Sequence, residues 1–226
     1  MDVLVSVAAI LLSYLVGSIP FGLIVVKIST GRDIRFIGSG RIGGTNVMRA
    51  AGLLAGAVTA FLDILKGFSS KWIVDWLFPE APPIVRVITA AFAIWGSIHS
   101  IFLMEKKENG GFHLRGGAGG ATAGGAALAL FTSAWLYLVP IGILVFIFIG
   151  YASVTTISIA LTSLVIFTIR AIHGASPWEY IIFGMLALAE VLYALRPNLA
   201  RLRNGTERMV GLRAYYHQKK QETENK

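Results

Sequence analysis

Residues 3–26 read VLVSVAAILLSYLVGSIPFGLIVV, an apolar run with no charged side chain. A membrane-crossing helix needs about 20 such residues. Comparable runs recur along the chain, and only 14% of its residues are charged. A soluble domain carries about 25%. Mean hydropathy is +0.70. These features predict an all-α membrane bundle. The first run lacks a basic leader and a small-residue cleavage site, so it reads as a retained helix. Its Gly17-Ser18-Ile19-Pro20-Phe21-Gly22 segment predicts a break, either an ordinary proline kink or a gap lining a polar cavity.

Outward from there, helices are expected at about 53–76, 86–104 and 178–195. Three short ones fall between 121 and 170, with breaks near Thr132-Ser133 and near Tyr151 to Thr156, and with Pro140 kinking the middle one. That gives a polytopic bundle of about seven transmembrane helices. Residues 1–204 form one domain, and 205–226 a basic tail whose end reads as disordered. The formal net charge is +8. In a soluble protein this would raise nucleic acid as a partner. Here the basic residues lie in loops and tail, so positive-inside topology and anionic lipid headgroups explain them, and no nucleic-acid partner is expected. The first loop carries Lys27, Arg32, Arg35, Arg41 and Arg49 against Asp33 alone. From Arg196 onward there are eight Lys or Arg against three Asp or Glu. Both segments are placed in the cytoplasm, which puts the N-terminus outside. With no cysteine, disulfides and thiol catalysis are excluded.

The first loop contains Gly38-Ser39-Gly40-Arg41-Ile42-Gly43-Gly44-Thr45-Asn46-Val47-Met48-Arg49-Ala50-Ala51-Gly52. Glycines let backbone N–H groups close on a ligand, and arginines suit phosphate or carboxylate. The stretch can form an anion site, or it can be a basic loop that fixes topology. A second run, His113-Leu114-Arg115-Gly116-Gly117-Ala118-Gly119-Gly120-Ala121-Thr122, leads into an apolar segment. A helix opened by glycines can hold an anion at its N-terminus, and the same glycines can be a packing stripe. No P-loop lysine follows. Asp63 and Lys66 share one face of an apolar helix; they either neutralise each other or face a wet cavity. His99 reads as a helix-end polar residue more readily than as a base, and Glu190 has no evident partner. Broken helices and the charged pair also fit a small anion transporter, although no duplicated half is visible.

Taken together, Gly17 to Gly22, the stretch from Gly38 to Gly52, Asp63-x-x-Lys66-Gly67, the glycine loop at 116–122 and Asn198-Leu199-x-Arg201-Leu202-x-x-Gly205-Thr206-Glu207 resemble the PlsY family of bacterial integral-membrane acyl-phosphate:glycerol-3-phosphate acyltransferases. The resemblance implies a seven-helix fold in the bacterial inner membrane with a cytoplasmic site. It implies acyl transfer from acyl phosphate to the 1-hydroxyl of glycerol 3-phosphate, giving lysophosphatidic acid and phosphate, with no metal, acyl-CoA or acyl-carrier protein. Carried over by position, Ser39, Arg49 and Asn198 are the expected catalytic residues. Gly38, Gly40, Arg41, Thr45, Asn46, Arg115, Gly116, Gly117, Gly119 and Glu207 are the expected substrate and phosphate contacts. Four departures stand out. Arg41 replaces the usual asparagine, and Ala118 a lysine. Ser97 stands where a histidine is usual, with His99 two residues on, and Leu195 also replaces a histidine. Arg41 or Arg115 is the expected replacement cation. The alternative is a catalytically weak or inactive relative that binds anionic lipid or a membrane partner.

Overall fold

The computed structural model describes residues 2–106 and 110–224. Helix α1 (Asp2–Ser18) and α2 (Phe21–Thr30) are two halves of one broken span, parted at Ile19-Pro20 where proline cannot donate a backbone hydrogen bond. A 3-10 turn at Ile34–Phe36 and the short helix α3 (Gly44–Ala51) follow. Residues 44–51 were expected as loop; the structure makes them an amphipathic helix whose Val47 packs with Val26, Ile34, Ile42 and Leu103. Then come α4 (Leu53–Leu77) and α5 (Pro83–Ile98), and a small antiparallel hairpin of β1 (Met104–Lys106) and β2 (Phe112–Leu114) with Glu105 opposite His113.

The apolar stretch after the glycine loop forms α6 (Gly120–Leu130), α7 (Trp135–Leu144) and α8 (Ala152–Ile172). The expected break near 132 is a 3-10 turn, Thr132–Ala134. Past Pro140, α7 widens into a π-helix over Val145–Ile149 before the turn at Gly150. The chain closes with α9 (Glu179–Ala194), α10 (Arg196–Arg203), bent 64° from it, and α11 (Gly211–Glu224). Residues 211–224 of the tail are thus helical, and the last two residues lie outside the described ones.

Among the described residues, five segments are long and apolar enough to cross a membrane, and the bent α9–α10 pair makes a sixth. The seventh expected helix is α6, an 11-residue apolar helix. At 1.5 Å per residue it is about half the ~30 Å of a hydrocarbon core. The protein is a multi-pass membrane protein, and its surface shows it. Val3 and Ile28 are 76% and 82% exposed, whereas Ser13, Thr59 and Thr89 are wholly buried. The main core joins Ile94 of α5, Ala123 and Ala126 of α6, Phe167 of α8 and Phe183 of α9.

Helix contacts are close because glycine sits at the crossings. A Cβ on Gly125 would run into the Ile64 carbonyl of α4, and one on Gly67 into the Thr122 carbonyl of α6. Inside the bundle, Lys66 Nζ lies 3.0 Å from Asp63 Oδ1 and donates to the Ile19 carbonyl at 3.2 Å. The ammonium therefore neutralises the carboxylate and also binds backbone at the α1–α2 break.

Lys66→Met removes that ammonium and leaves a carboxylate buried. It should lower unfolding stability by about 3–5 kcal/mol, with partial recovery in the Asp63→Asn/Lys66→Met double variant; denaturant unfolding in lipid micelles reads both. Gly125→Ala should cost about 1–3 kcal/mol by overpacking. Gly142→Ala, whose Cβ would meet Ile159 at an ordinary 3.6 Å, should cost less than about 0.5 kcal/mol in the same assay.

Candidate active site

The first wall of the site is the turn from Asp33 into α3. Asp33 accepts the Arg35 backbone N–H at 2.9 Å and pairs with the Arg35 guanidinium at 2.7 Å. Gly38 and Gly40 adopt positive φ of 60° and 70°, so the chain can reverse there without strain. Asn46 ties the turn shut. Its Oδ1 accepts from the Ser39 N–H at 3.1 Å, and its Nδ2 donates to the Ile37 and Arg41 carbonyls, each at 2.9 Å. Read from sequence as a phosphate contact, Asn46 instead spends its amide inside the loop and shapes it. This leaves the Ser39 hydroxyl exposed, with Thr45 and Arg49 beside it on α3.

The second wall is the glycine loop. The Gly117 N–H donates to the Ser97 carbonyl at 2.8 Å, and Thr122 Oγ1 donates to Ser97 Oγ at 3.0 Å. Gly119, at φ 77°, turns the chain into α6. The opening residues of that helix line the cavity, and the first N–H groups of a helix have no intrahelical partner.

The third wall is the α9–α10 bend and the segment after it. Glu207, only 8% exposed, accepts from Asn198 Nδ2 at 2.7 Å and from Arg201 Nε at 3.0 Å. Arg41 reaches across from the first wall and donates to the Ala194 carbonyl. Arg41 Nη1 and Asn198 Oδ1 are both buried without a hydrogen-bond partner among the described residues. Burial, and then the like charge of Arg201, lowers the Arg41 pKa from its usual value; a guanidinium starts so high that it stays charged.

The walls enclose a cavity of about 420 Å³. Ser39, Arg41, Thr45, Asn46, Arg49, Gly117, Gly119, Asn198 and Glu207 all line it, as do Ala118 and Leu195. Gly38, Gly40, Gly116 and Arg115 do not; the first two shape the turn. Arg115 pairs with Glu105 at 2.7 Å, and Arg35 holds the same carboxylate at 3.1 Å. Of the two expected replacement cations, the structure thus brings Arg41 to the cavity and leaves Arg115 in a ladder joining the turn to the hairpin. His99 also lies off the cavity, with its ring 4.2 Å from that of Trp95. Arg201, quoted from sequence as part of the third motif but not as a substrate contact, lines the cavity as well, and so does Arg208, which was not singled out. Position alone hid Arg208: it directly follows Glu207, and nothing in its neighbourhood marks which way it faces. Asp63 and Glu207, the acids of the lining, are each already paired, so arginines set the field inside.

The family profile described as glycerol-3-phosphate acyltransferase matches residues 7–205. The chain belongs to the glycerol-3-phosphate acyltransferase family. It is 35% identical to the glycerol-3-phosphate acyltransferase of Syntrophomonas wolfei over 90% of this chain and 96% of that protein. It is 36% identical to glycerol-3-phosphate acyltransferase 2 of Moorella thermoacetica over 91% and 98%. It is similar in fold to the crystal structure of PlsY, an integral membrane glycerol 3-phosphate acyltransferase, in its glycerol 3-phosphate form, with a TM-score of 0.76, 29% identity, and 91% and 96% of the two chains covered. The lysophosphatidic acid form of PlsY matches with a TM-score of 0.74. The expected all-helical membrane fold is therefore the one observed, and Arg41, Ser97, Ala118 and Leu195, the four positions read from sequence as departures from the family pattern, all line the cavity.

The Arg35 hydrogen bonds hold the Asp33 carboxyl below its usual pKa. A depressed folded-state pKa stabilises above the unfolded value, and that contribution disappears as pH falls through the folded value. Backbone hydrogen-exchange protection at residues 33–41, corrected for the intrinsic rate, should therefore fall as pH drops below about 4, and Asp33→Asn should show the lower protection already at about pH 6. Equal exchange in the two proteins at pH 6 would show that the ladder does not order the turn.

Proposed function

We propose that this protein transfers a fatty acyl group from acyl phosphate to the 1-hydroxyl of glycerol 3-phosphate, at the cytoplasmic face of the bacterial inner membrane. The observation that carries this reading is a cavity whose lining has two characters: Ser39, Arg41, Arg49 and the start of α6 are polar or cationic, while Ala57, Ala60, Ile64 and Ile159 are apolar. An acyl phosphate joins the same two characters in one molecule. The names of the relatives support the acceptor and the lipid product, and the net basic character of the first loop and tail supports the cytoplasmic side.

In this mechanism the acceptor hydroxyl oxygen bonds to the acyl carbonyl carbon, the carbonyl–phosphate C–O bond breaks, and inorganic phosphate leaves. The hydroxyl proton passes to a phosphate oxygen. Donors aimed at the developing negative charge do the work of a general base–nucleophile pair. Ser39 and Arg49 hold phosphate oxygens, and the unpartnered Asn198 Oδ1 accepts from the attacking hydroxyl. Arg41 Nη1 supplies the cation that Ala118 lacks. Glu207 acts on Asn198 and Arg201 and fixes their geometry. Losing one phosphate-binding cation costs roughly two decades in rate, so Arg41 decides whether this chain remains an efficient acyltransferase. The apolar faces of Ala118 and Leu195 favour the second reading, a weakly active relative that binds anionic lipid on the same scaffold.

Phosphate release by the lipid-reconstituted protein, with acyl phosphate and with or without glycerol 3-phosphate, tests this. Acceptor-dependent release should fall by at least about 100-fold in Ser39→Ala/Arg49→Ala. Arg41→Gln should lower kcat/KM about 10- to 100-fold and Arg115→Gln less than about twofold. No acceptor-dependent release from folded wild type, with activity appearing in Ala118→Lys/Leu195→His, would establish the second reading.

A further inference from the structure

We propose that Arg208, together with Arg49 and the Ser39 hydroxyl, forms the dianion clamp that captures the phosphate of glycerol 3-phosphate at the mouth of the cavity. This rests on the acyltransferase reading and names a residue that reading does not require.

Arg208 is exposed, lines the cavity, and makes no ion pair or hydrogen bond to any described residue. Its Nη1 lies over the Gly38-Ser39 turn: a Cβ built on Gly38 would stand 3.5 Å from it. On its other side is Arg49, whose Nη2 donates to the Met209 carbonyl at 3.3 Å. That bond ties Arg49 to the residue next to Arg208. Arg49 is open to the cavity, yet its pKa is lowered from the usual value by the protein crowded around it and then by the charge of Arg208. Glu207, which directly precedes Arg208, has its oxygens committed to Asn198 and Arg201.

Two neighbouring arginines with no acid of their own repel each other and are relieved by an anion with oxygens for both. A phosphate monoester dianion has the charge and the oxygens, and guanidinium forks suit them. Position chooses among the phosphates. On the acyltransferase reading, the acyl chain of the donor lies against apolar lining such as Ile64 and Ile159. The exposed Arg208 meets what arrives from water, which is the soluble acceptor. The clamp adds a cation from the segment after α10 to the one that Arg41 supplies.

Steady-state kinetics on Arg208→Gln, with Arg208→Lys as the conservative variant, should show KM for glycerol 3-phosphate raised about 10- to 100-fold, with Lys intermediate. kcat and KM for acyl phosphate should stay within about twofold. A parallel readout needs no turnover: inorganic phosphate should raise the melting temperature of wild type in neutral-lipid micelles and fail to raise that of Arg208→Gln. An unchanged KM for glycerol 3-phosphate, or a rise confined to acyl phosphate, overturns the proposal. So does a defect that appears only when anionic lipid is added to the vesicles, which would make Arg208 a headgroup contact. If wild type shows no turnover, the acyltransferase reading fails, and the melting shift still decides the clamp: equal phosphate stabilisation of both proteins overturns it.

Discussion

One buried ammonium underlies the architecture. Backbone that leaves helical geometry inside a membrane must have its polar groups satisfied by protein, because lipid offers none. The first span breaks at Pro20, and Lys66 supplies a donor to the Ile19 carbonyl while Asp63 balances its charge. With the break stabilised, α2 can lean toward α3, and Gly22 can pass close to the Ile42 carbonyl of the turn. The turn carrying Ser39 is thereby set against the membrane helices. Asp63 also lines the cavity. The pair is thus both a neutralised charge and a wall of the site; the two readings open from sequence turn out to be compatible.

The membrane helices were legible because lipid imposes length and composition on each span. Pro20 and the polar stretch near Thr132 marked where apolar runs divide, and the structure divides them there; the break expected over Tyr151 to Thr156 falls at Gly150-Tyr151 instead, with residues 152–156 already in α8, and Pro140 lies within α7 without ending it. Helix α3 was not legible: Gly43, Gly44, Thr45 and Asn46 disguise it as loop, and its helical face is defined only by tertiary packing on Val26 and Ile34. The hairpin of β1 and β2 has three residues per strand, too few for a visible alternation. Arg115 shows the same limit for charge. Its sequence neighbours suggest a free cation, but Glu105, ten residues earlier, takes it. Arg41 and Arg115 looked equivalent until the fold placed one in the cavity and the other on its outer framework.

The site works by arrangement more than by reactive side chains. Its acids are paired, the Asn46 amide is consumed in shaping the turn, and the orphaned groups, Arg41 Nη1 and Asn198 Oδ1, are complementary donor and acceptor. Such an environment favours a substrate that brings its own charge and its own proton acceptor.

The third wall has a consequence for how the protein comes into being. Glu207, Arg208 and Met209 follow every membrane helix in chain order, yet they meet Ser39, Arg41 and Arg49 from the first loop. The Val210 N–H then fastens this segment to the Gly150 carbonyl at 2.9 Å. Chains are made from the N-terminus onward. All spans can therefore be inserted in the bilayer before the cavity has its last side. A chain stopped before Glu207 occupies the membrane as a shell without its third wall, and competence arrives only when the segment after α10 has been made.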